Sequence, residues 1–357
     1  MKSVVYFTKV DNADNLAVRK EKFARLLDKS NILDCIDKRA RVAIKIHFGE
    51  EGNTGFVKPE YARQVCERIL EKQALPLLSD TNTMYRGRRM TSYDHIRLAY
   101  EHGFTRESVK AEVFIPDEKK AGSVTRVTLN QRFVTTANIM TFFLHADAIV
   151  SIAHFKGHLM TGFGGALKNI GMGCASREGK LAQHSDVSPI IIIKECTGCG
   201  ACEKVCPVQA IVLIRKKADL NSKKCIGCAS CIAACKFNAV DINWEAGGSN
   251  IQEKMAEYAS GVLKGKEKKS VFINFAIKIT KECDCLAKDD PKISPDIGIL
   301  ASADPVSIDK ASFDLITHAC GKDIFKQEHP KRDGFKQLAH AVEIGLGRLD
   351  YELREIS

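Results

Sequence analysis

The chain has 357 residues, room for one large α/β domain with an insertion or for two or three average domains. With 45% hydrophobic and 27% charged residues it has an ordinary globular balance, which excludes a fibrous repeat or a disordered chain. The formal charge of +10 is spread along the sequence without basic–aromatic interleaving around its single Trp, so nucleic acid is not an expected partner.

In chain order, Met1–Lys9 reads as a first strand. It lacks the apolar length and cleavage site of a signal peptide, and no apolar run is long enough to span a bilayer, so a cytoplasmic location is expected. Val42–Phe48, Leu75–Ser79, Ala148–Ile152, Val271–Ile277 and Ile297–Ala301 read as buried strands. Pro59 opens a helix that places Ala62, Val65, Cys66, Ile69 and Leu70 on one face. Asp304-Pro305 is a cap and a first-turn proline, continued by Val306, Ile308, Ala311, Leu315 and Ile316. Strands alternating with helices predict an α/β fold built on a mostly parallel sheet.

Residues 188–245 break this rhythm. Cys196-x2-Cys199-x2-Cys202-x3-Cys206 recurs 29 residues later as Cys225-x2-Cys228-x2-Cys231-x3-Cys235. The expected organisation is therefore a host α/β domain over 1–187 and 246–357, interrupted by a small α+β module over 188–245. Eight of the chain's 14 cysteines fall in this stretch, and a reducing compartment argues for metal ligation over disulfides.

Three thiolates at two-residue gaps wrap one iron–sulfur cube, and a fourth, three residues on, reaches the other cube. Cys196, Cys199, Cys202 and Cys235 are thus assigned to a first [4Fe-4S] cluster, and Cys206, Cys225, Cys228 and Cys231 to a second. Each cluster with its thiolates carries about −2, which lowers the net positive charge. Structural zinc on paired C-x2-C motifs is the alternative; zinc has no need of the third and fourth cysteines repeated at one offset. The stretch resembles the bacterial-type two-cluster ferredoxins, except that Lys236 follows Cys235 where proline is usual. That resemblance implies single-electron transfer, with a redox partner protein or a small-molecule electron acceptor. Clusters that only brace the fold are the plainer alternative.

In the host, His154-Phe155-Lys156-Gly157-His158 leads into Gly162-Phe163-Gly164-Gly165-Ala166-Leu167-Lys168-Asn169, just beyond a strand end, where ligands of open α/β sheets sit. Gly162, Gly164 and Gly165 allow backbone N–H groups to approach an anion, with Lys168 as a point charge; a tight turn with solvated lysines is the plainer reading. His154 joins them as a candidate for holding a flavin, deazaflavin or other nucleotide-like ligand. Cys283-x-Cys285 offers two thiols for a metal or for exchange with incoming electrons, or is a pair of ordinary cysteines. His47 and the Arg86, Arg88 and Arg89 cluster are further crevice candidates, against a structural histidine and a solvated loop. Cys35, Cys66 and Cys320 read as core residues, and Cys174 stands beside the glycine segment.

At these residues, and at Lys45–Glu50, Cys283–Cys285 and Gly298–Asp309, the host resembles the domain of unknown function 362 family, members of which carry a two-cluster ferredoxin insert. Gly162–Lys168 is also similar to the glycine-rich lysine segment of lactate-racemase-type enzymes that use a nickel-pincer nucleotide. That second likeness implies an acid/base role for His158, cofactor anchoring for Lys168 and nickel binding for His184. The expected function is an iron–sulfur oxidoreductase component. The alternatives are a non-redox, isomerase-like enzyme with structural clusters and a redox-sensing interaction protein.

Overall fold

A computed structural model describes residues 2–84, 87–184, 189–206, 208–225, 231, 234–237, 239–241 and 250–357. Its centre is an eight-stranded sheet. In chain order the strands are β1 (Ser3–Lys9), β2 (Arg41–Ile46), β3 (Leu75–Ser79), β4 (Glu112–Val113), β5 (Ala148–His154), β6 (Ser270–Ala276), β7 (Gly298–Ser302) and β8 (Tyr351–Glu355). Their spatial order is β8-β1-β7-β6-β5-β2-β3-β4, and of the eight only β7 runs against the rest. The fold is α/β with a mostly parallel sheet, as the alternation of elements predicts.

Every residue of β5, β6 and β7 is buried, which explains their largely apolar sequences. Alternate residues feed two cores. Ile149, Phe272 and Leu300 face one side with Phe163, Tyr258 and Phe313; Val150, Ile273 and Ile299 face the other with Phe23, Tyr61 and Phe104. The helix Pro59–Glu71 buries Ala62, Val65, Cys66 and Ile69, but Leu70 is 41% exposed. One residue past Ile69 is about 100° round the helix, which turns Leu70 off the buried stripe. The helix Pro305–Cys320 starts where expected, with the Asp304 carboxylate accepting from the N–H groups of Val306 at 2.8 Å and Ser307 at 2.9 Å.

Between Ile190 and Asp241 lie two short antiparallel pairs, Ile190–Ile191 with Val240–Asp241 and Ile211–Ile214 with Lys217–Leu220. Their buried side chains, Cys196, Cys202, Ile211, Ala218, Cys231, Ala239 and Val240, form a cluster apart from the two cores of the sheet. Cys228 lies outside the described residues.

The glycine segment is locked to the sheet by an internal anion. After Gly165 the short helix Ala166–Gly171 begins, and Asp309 accepts hydrogen bonds from its first N–H groups, Ala166 at 2.7 Å and Leu167 at 3.0 Å. Asn274 on β6 donates to the same carboxylate at 2.7 Å. A Cβ on Gly165 would stand 2.2 Å from Asp309 Oδ1, so a glycine is needed there for the carboxylate to reach the backbone. Burial pushes the Asp309 carboxyl up to about 6, against the pull of these donors.

Asp309→Ala strands three buried donors and is expected to lower the unfolding free energy by about 1–3 kcal/mol in urea titration; an unchanged midpoint contradicts the account. Because folding raises this carboxyl, its stabilising contribution is complete at low pH and is lost as pH rises through about 6. The stability difference between the parent and Asp309→Asn should therefore drift against the parent over that rise, and a flat difference counts against it.

Candidate functional site

The C-terminal ends of β2, β3 and β5 converge on one cavity of about 420 Å³. Its position follows from topology. The chain adds β3 and β4 on one side of β2 and returns with β5 on the other, which opens a crevice at the strand ends. The volume suits a small organic ligand.

Charged side chains brought out of water must be paired, and the walls show three such pairings. Asp80, just past β3, meets Lys45 of β2 at 3.0 Å, with both side chains almost fully buried. Lys45 also donates to Asn169 Oδ1 at 2.9 Å, while the Asn169 amide donates to Lys45 O at 3.0 Å and to Ser151 Oγ at 2.8 Å. Asn169 thus ties the glycine-segment helix to β2 and β5. Burial alone would raise the Asp80 carboxyl, but Lys45, His47 and His95 hold it far below the usual range.

The second pairing centres on Asp284, which lies between the two cysteines of the C-x-C motif. His154 Nδ1 is 3.0 Å from both its carboxylate oxygens and Lys156 Nζ is 3.1 Å away. His154 Nε2 faces the carbonyls of Ile277 at 3.0 Å and Lys278 at 3.2 Å, so both ring nitrogens are spent on protein acceptors. Burial works against the Asp284 carboxylate, yet His154 and Lys156 hold it well below its ordinary value. Arg89, buried, pairs with Glu50 at 2.9 Å and reaches His47 Nε2 at 2.8 Å.

His158, Lys168 and His184, which the sequence spaces apart, line this same cavity with Gly164 and Gly165. Gly162 stands back from it, at φ +75° against the backbone of Gly334. Burial, with Lys168 and other cations nearby, keeps His158 well below the ordinary imidazole range and lowers His184 to about 3. Both rings are neutral at physiological pH. Lys168 is lowered to about 7 by burial and by the charges of Lys156 and Lys45. Its amine has no hydrogen-bond or ion-pair partner among the described residues, so burial favours the uncharged amine far more than at an exposed lysine. Lys180 is lowered to about 8, again mainly by burial, while it donates to Asn82 O at 2.6 Å.

Cys283 and Cys285 are joined in a disulfide on the cavity wall, and a His158 ring nitrogen lies within 4.8 Å of both sulfurs. Those three residues form a candidate metal group. Of the other singled-out residues, His47 lines the cavity, Arg88 pairs with Glu101 on the surface, and Arg86 lies outside the described residues. Cys66 and Cys174 are buried; Cys35 and Cys320 are half-buried. Burial pushes the Cys174 thiol up to about 12, a packing group and not a nucleophile.

Away from this cavity, Cys196, Cys199, Cys202 and Cys235 line one small hollow with Leu213, Phe237 and Val240. Backbone N–H groups of Ala218 and Ala239 donate to the sulfurs of Cys196 at 3.3 Å and Cys235 at 3.2 Å. Ala210 N–H does the same for Cys206 at 3.1 Å. Burial pushes the Cys202 thiol up, and the neighbouring Cys235 and Cys196 add to that rise.

Residues 42–314, more than half of the chain, match the family model described as "Domain of unknown function (DUF362)". The chain belongs to that family. A comparison with the curated proteins finds no match. Solved structures similar to this DUF362 chain include two at 12% identity. One is a Thermotoga maritima protein, with a TM-score of 0.43 over 89% of this chain and 60% of that one. The other is the lactate racemase apoprotein from Thermoanaerobacterium thermosaccharolyticum, with a TM-score of 0.39 over 78% of this chain and 51% of that one. The DUF362 chain thus spans between half and two thirds of the length of either.

Lys156, Lys180, Asp80 and Asp284 carry much of the cavity's charge and were not singled out from the sequence. Asp284 had a visible signal, an acid enclosed by two cysteines; the others show only as polar residues at strand ends and on a helix.

Acylation of Lys168 should be half-maximal near pH 7, whereas exposed lysines titrate near about 10.4. Lys156→Met removes a neighbouring positive charge and should move that midpoint upward. A midpoint already in the ordinary lysine range contradicts the electrostatic account.

Proposed function

We propose that the chain is an iron–sulfur protein of oxidoreductase type, in which residues 188–245 form a two-cluster ferredoxin-type insert and the host holds a redox ligand. The observation that carries this reading is the crossed ligand set. The doubled motif assigns distant Cys235 to the cluster of Cys196, Cys199 and Cys202, and those four thiols share one hollow. Burial raises the Cys202 thiol, with Cys235 and Cys196 adding to it, while the N–H donors of Ala218 and Gly198 lower Cys196; a multivalent metal core would stabilise all four as thiolates. Cys206, Cys225, Cys228 and Cys231 are proposed to hold the second core.

When bound, each [4Fe-4S] core supplies a single-electron step. The chain's own residues set the conditions for it. Gly198 and Gly200, at φ +72° and +75°, bend the backbone around the hollow. The N–H donors to Cys196, Cys206 and Cys235 favour the more negative sulfur and so the reduced state. Leu213, Phe237 and Val240 limit water. In the host, the cationic cavity suits a carboxylate- or phosphate-bearing ligand such as a flavin, deazaflavin or other nucleotide, with Lys168 as its contact. The electrons pass to or from a partner protein or a small acceptor.

A second reading has its own observation: His158, Lys168 and His184 line one cavity, as the lactate-racemase-type spacing requires. It makes the host an isomerase-like enzyme with a nickel-pincer nucleotide and leaves the clusters structural. Nickel and phosphorus in protein from its natural host favour it, and absence of both ends it.

Anaerobically purified protein reduced with dithionite should give the EPR signal of two interacting [4Fe-4S]+ clusters. Cys199→Ser should lose the interaction splitting and about half of the iron. A reduced sample without signal contradicts electron transfer.

A further inference from the structure

The proposed electron path makes no use of one group on the cavity wall, the Cys283–Cys285 disulfide. Cys283 is buried and Cys285 half-buried, so the Cys285 sulfur is the more open to attack. The N–H of Cys285 points at Cys283 Sγ from 3.4 Å, placed to stabilise a Cys283 thiolate once the bond opens. His158 adds a ring nitrogen within 4.8 Å of both sulfurs.

Two thiols and an imidazole suit either a metal or redox exchange, and the histidine's hydrogen bonds separate the two. His158 Nδ1 accepts from the N–H groups of Met160 and Thr161, each at 3.2 Å. A neutral ring held that way carries its proton on Nε2. Nδ1 has its lone pair engaged, and a protonated Nε2 has none to give a metal. The Nε2–H is instead a donor suited to a thiolate. The charges around the pair point to the class of reactant. Asp284 is neutralised by His154 and Lys156, and Arg89 by Glu50, leaving Lys168 and Lys180 on the walls, with Glu282 the remaining acid, so the surplus attracts an anion.

We propose that Cys283 and Cys285 are a redox-active pair that exchanges with a small, carboxylate-bearing thiol/disulfide couple admitted to the cavity, with His158 as hydrogen-bond donor to the thiolate. The incoming thiolate attacks Cys285 Sγ; the protein S–S bond breaks, a mixed disulfide forms and Cys283 leaves as thiolate. A second external thiolate attacks the external sulfur of the mixed disulfide, releasing the Cys285 thiolate and the external disulfide. Two protons from solvent complete the dithiol. One disulfide and two external thiols thus become two protein thiols and one external disulfide, and the reverse steps oxidise the pair. The proposal goes beyond the cluster reading, because exchange with an external thiol needs no cluster.

The test uses the full-length protein with its metal content intact, equilibrated without oxygen in glutathione and glutathione disulfide. The protein is acid-quenched and alkylated, and the peptide containing both cysteines is weighed. The ratio of doubly alkylated to unalkylated peptide should rise with the square of the glutathione concentration at fixed glutathione disulfide. His158→Ala should slow the exchange about tenfold at neutral pH and shift its pH profile upward, as loss of a thiolate donor requires. A pair that stays wholly oxidised or wholly reduced across the series, while the urea-unfolded chain exchanges, overturns the proposal. So does stoichiometric zinc uptake by the reduced pair that His158→Ala abolishes. An unchanged pH profile in His158→Ala overturns the role of the histidine. Glutathione acts on the thiols directly, so failure here leaves the EPR test untouched, and a missing EPR signal leaves this exchange standing.

Discussion

Charge taken out of water must find a partner, and that constraint shapes both chemically loaded regions of this protein. At the C-terminal edge of the sheet it is met within the chain: Asp80 by Lys45, and Asp284 by His154 and Lys156. Each pairing joins segments distant in sequence, so the strand ends and the C-x-C segment hold one arrangement. The surplus is positive, and it falls on Lys168 and Lys180, whose amines burial pushes towards neutrality. In the four-thiol hollow near Ile211–Leu220 no ion pair to a sulfur forms among the described residues. There the sulfurs have N–H donors and each other, with Lys217 as the cation beside Cys196.

The same constraint explains why the glycine segment differs from a phosphate loop despite its composition. A helix start with glycines before it and a lysine within it reads as an anion site. In the fold the anion is Asp309, from a helix near the other end of the chain, and it occupies the first two N–H groups. Gly165 serves that internal approach, and Lys168 faces the cavity beside Gly164, Gly165 and Asn169. The charged group that this segment turns to the cavity is a side-chain amine, since Asp309 takes the first two N–H groups.

Much of the sheet was legible because its strands are buried on both faces and therefore apolar along their length. β8 was not: Tyr351–Glu355 is an exposed edge strand of mixed polarity, fixed by its pairing with β1 and not by a core face. The reversed direction of β7 leaves no trace in local sequence either, since a buried strand reads alike in both directions. At the site, the lactate-racemase-type likeness of the glycine segment points to His158, Lys168 and His184, which share one cavity, and the C-x-C spacing points to Cys283 and Cys285, which share a bond. Asp80 and Lys180 escaped notice because their role exists only once β3 and the helix Arg177–His184 are folded against each other. His154 was visible as a candidate ligand, but its two nitrogens are committed to Asp284 and the carbonyls after β6.

The proposed clusters stand or fall on what the clustered thiols bind. Mössbauer spectroscopy of protein grown on iron-57 and isolated without oxygen reads it directly. The expected result is about eight iron atoms per chain in the quadrupole doublet of [4Fe-4S]2+ cores, changing to the magnetically split pattern of the reduced clusters on addition of dithionite. A chain that carries zinc at these cysteines, or iron without inorganic sulfide, contradicts it.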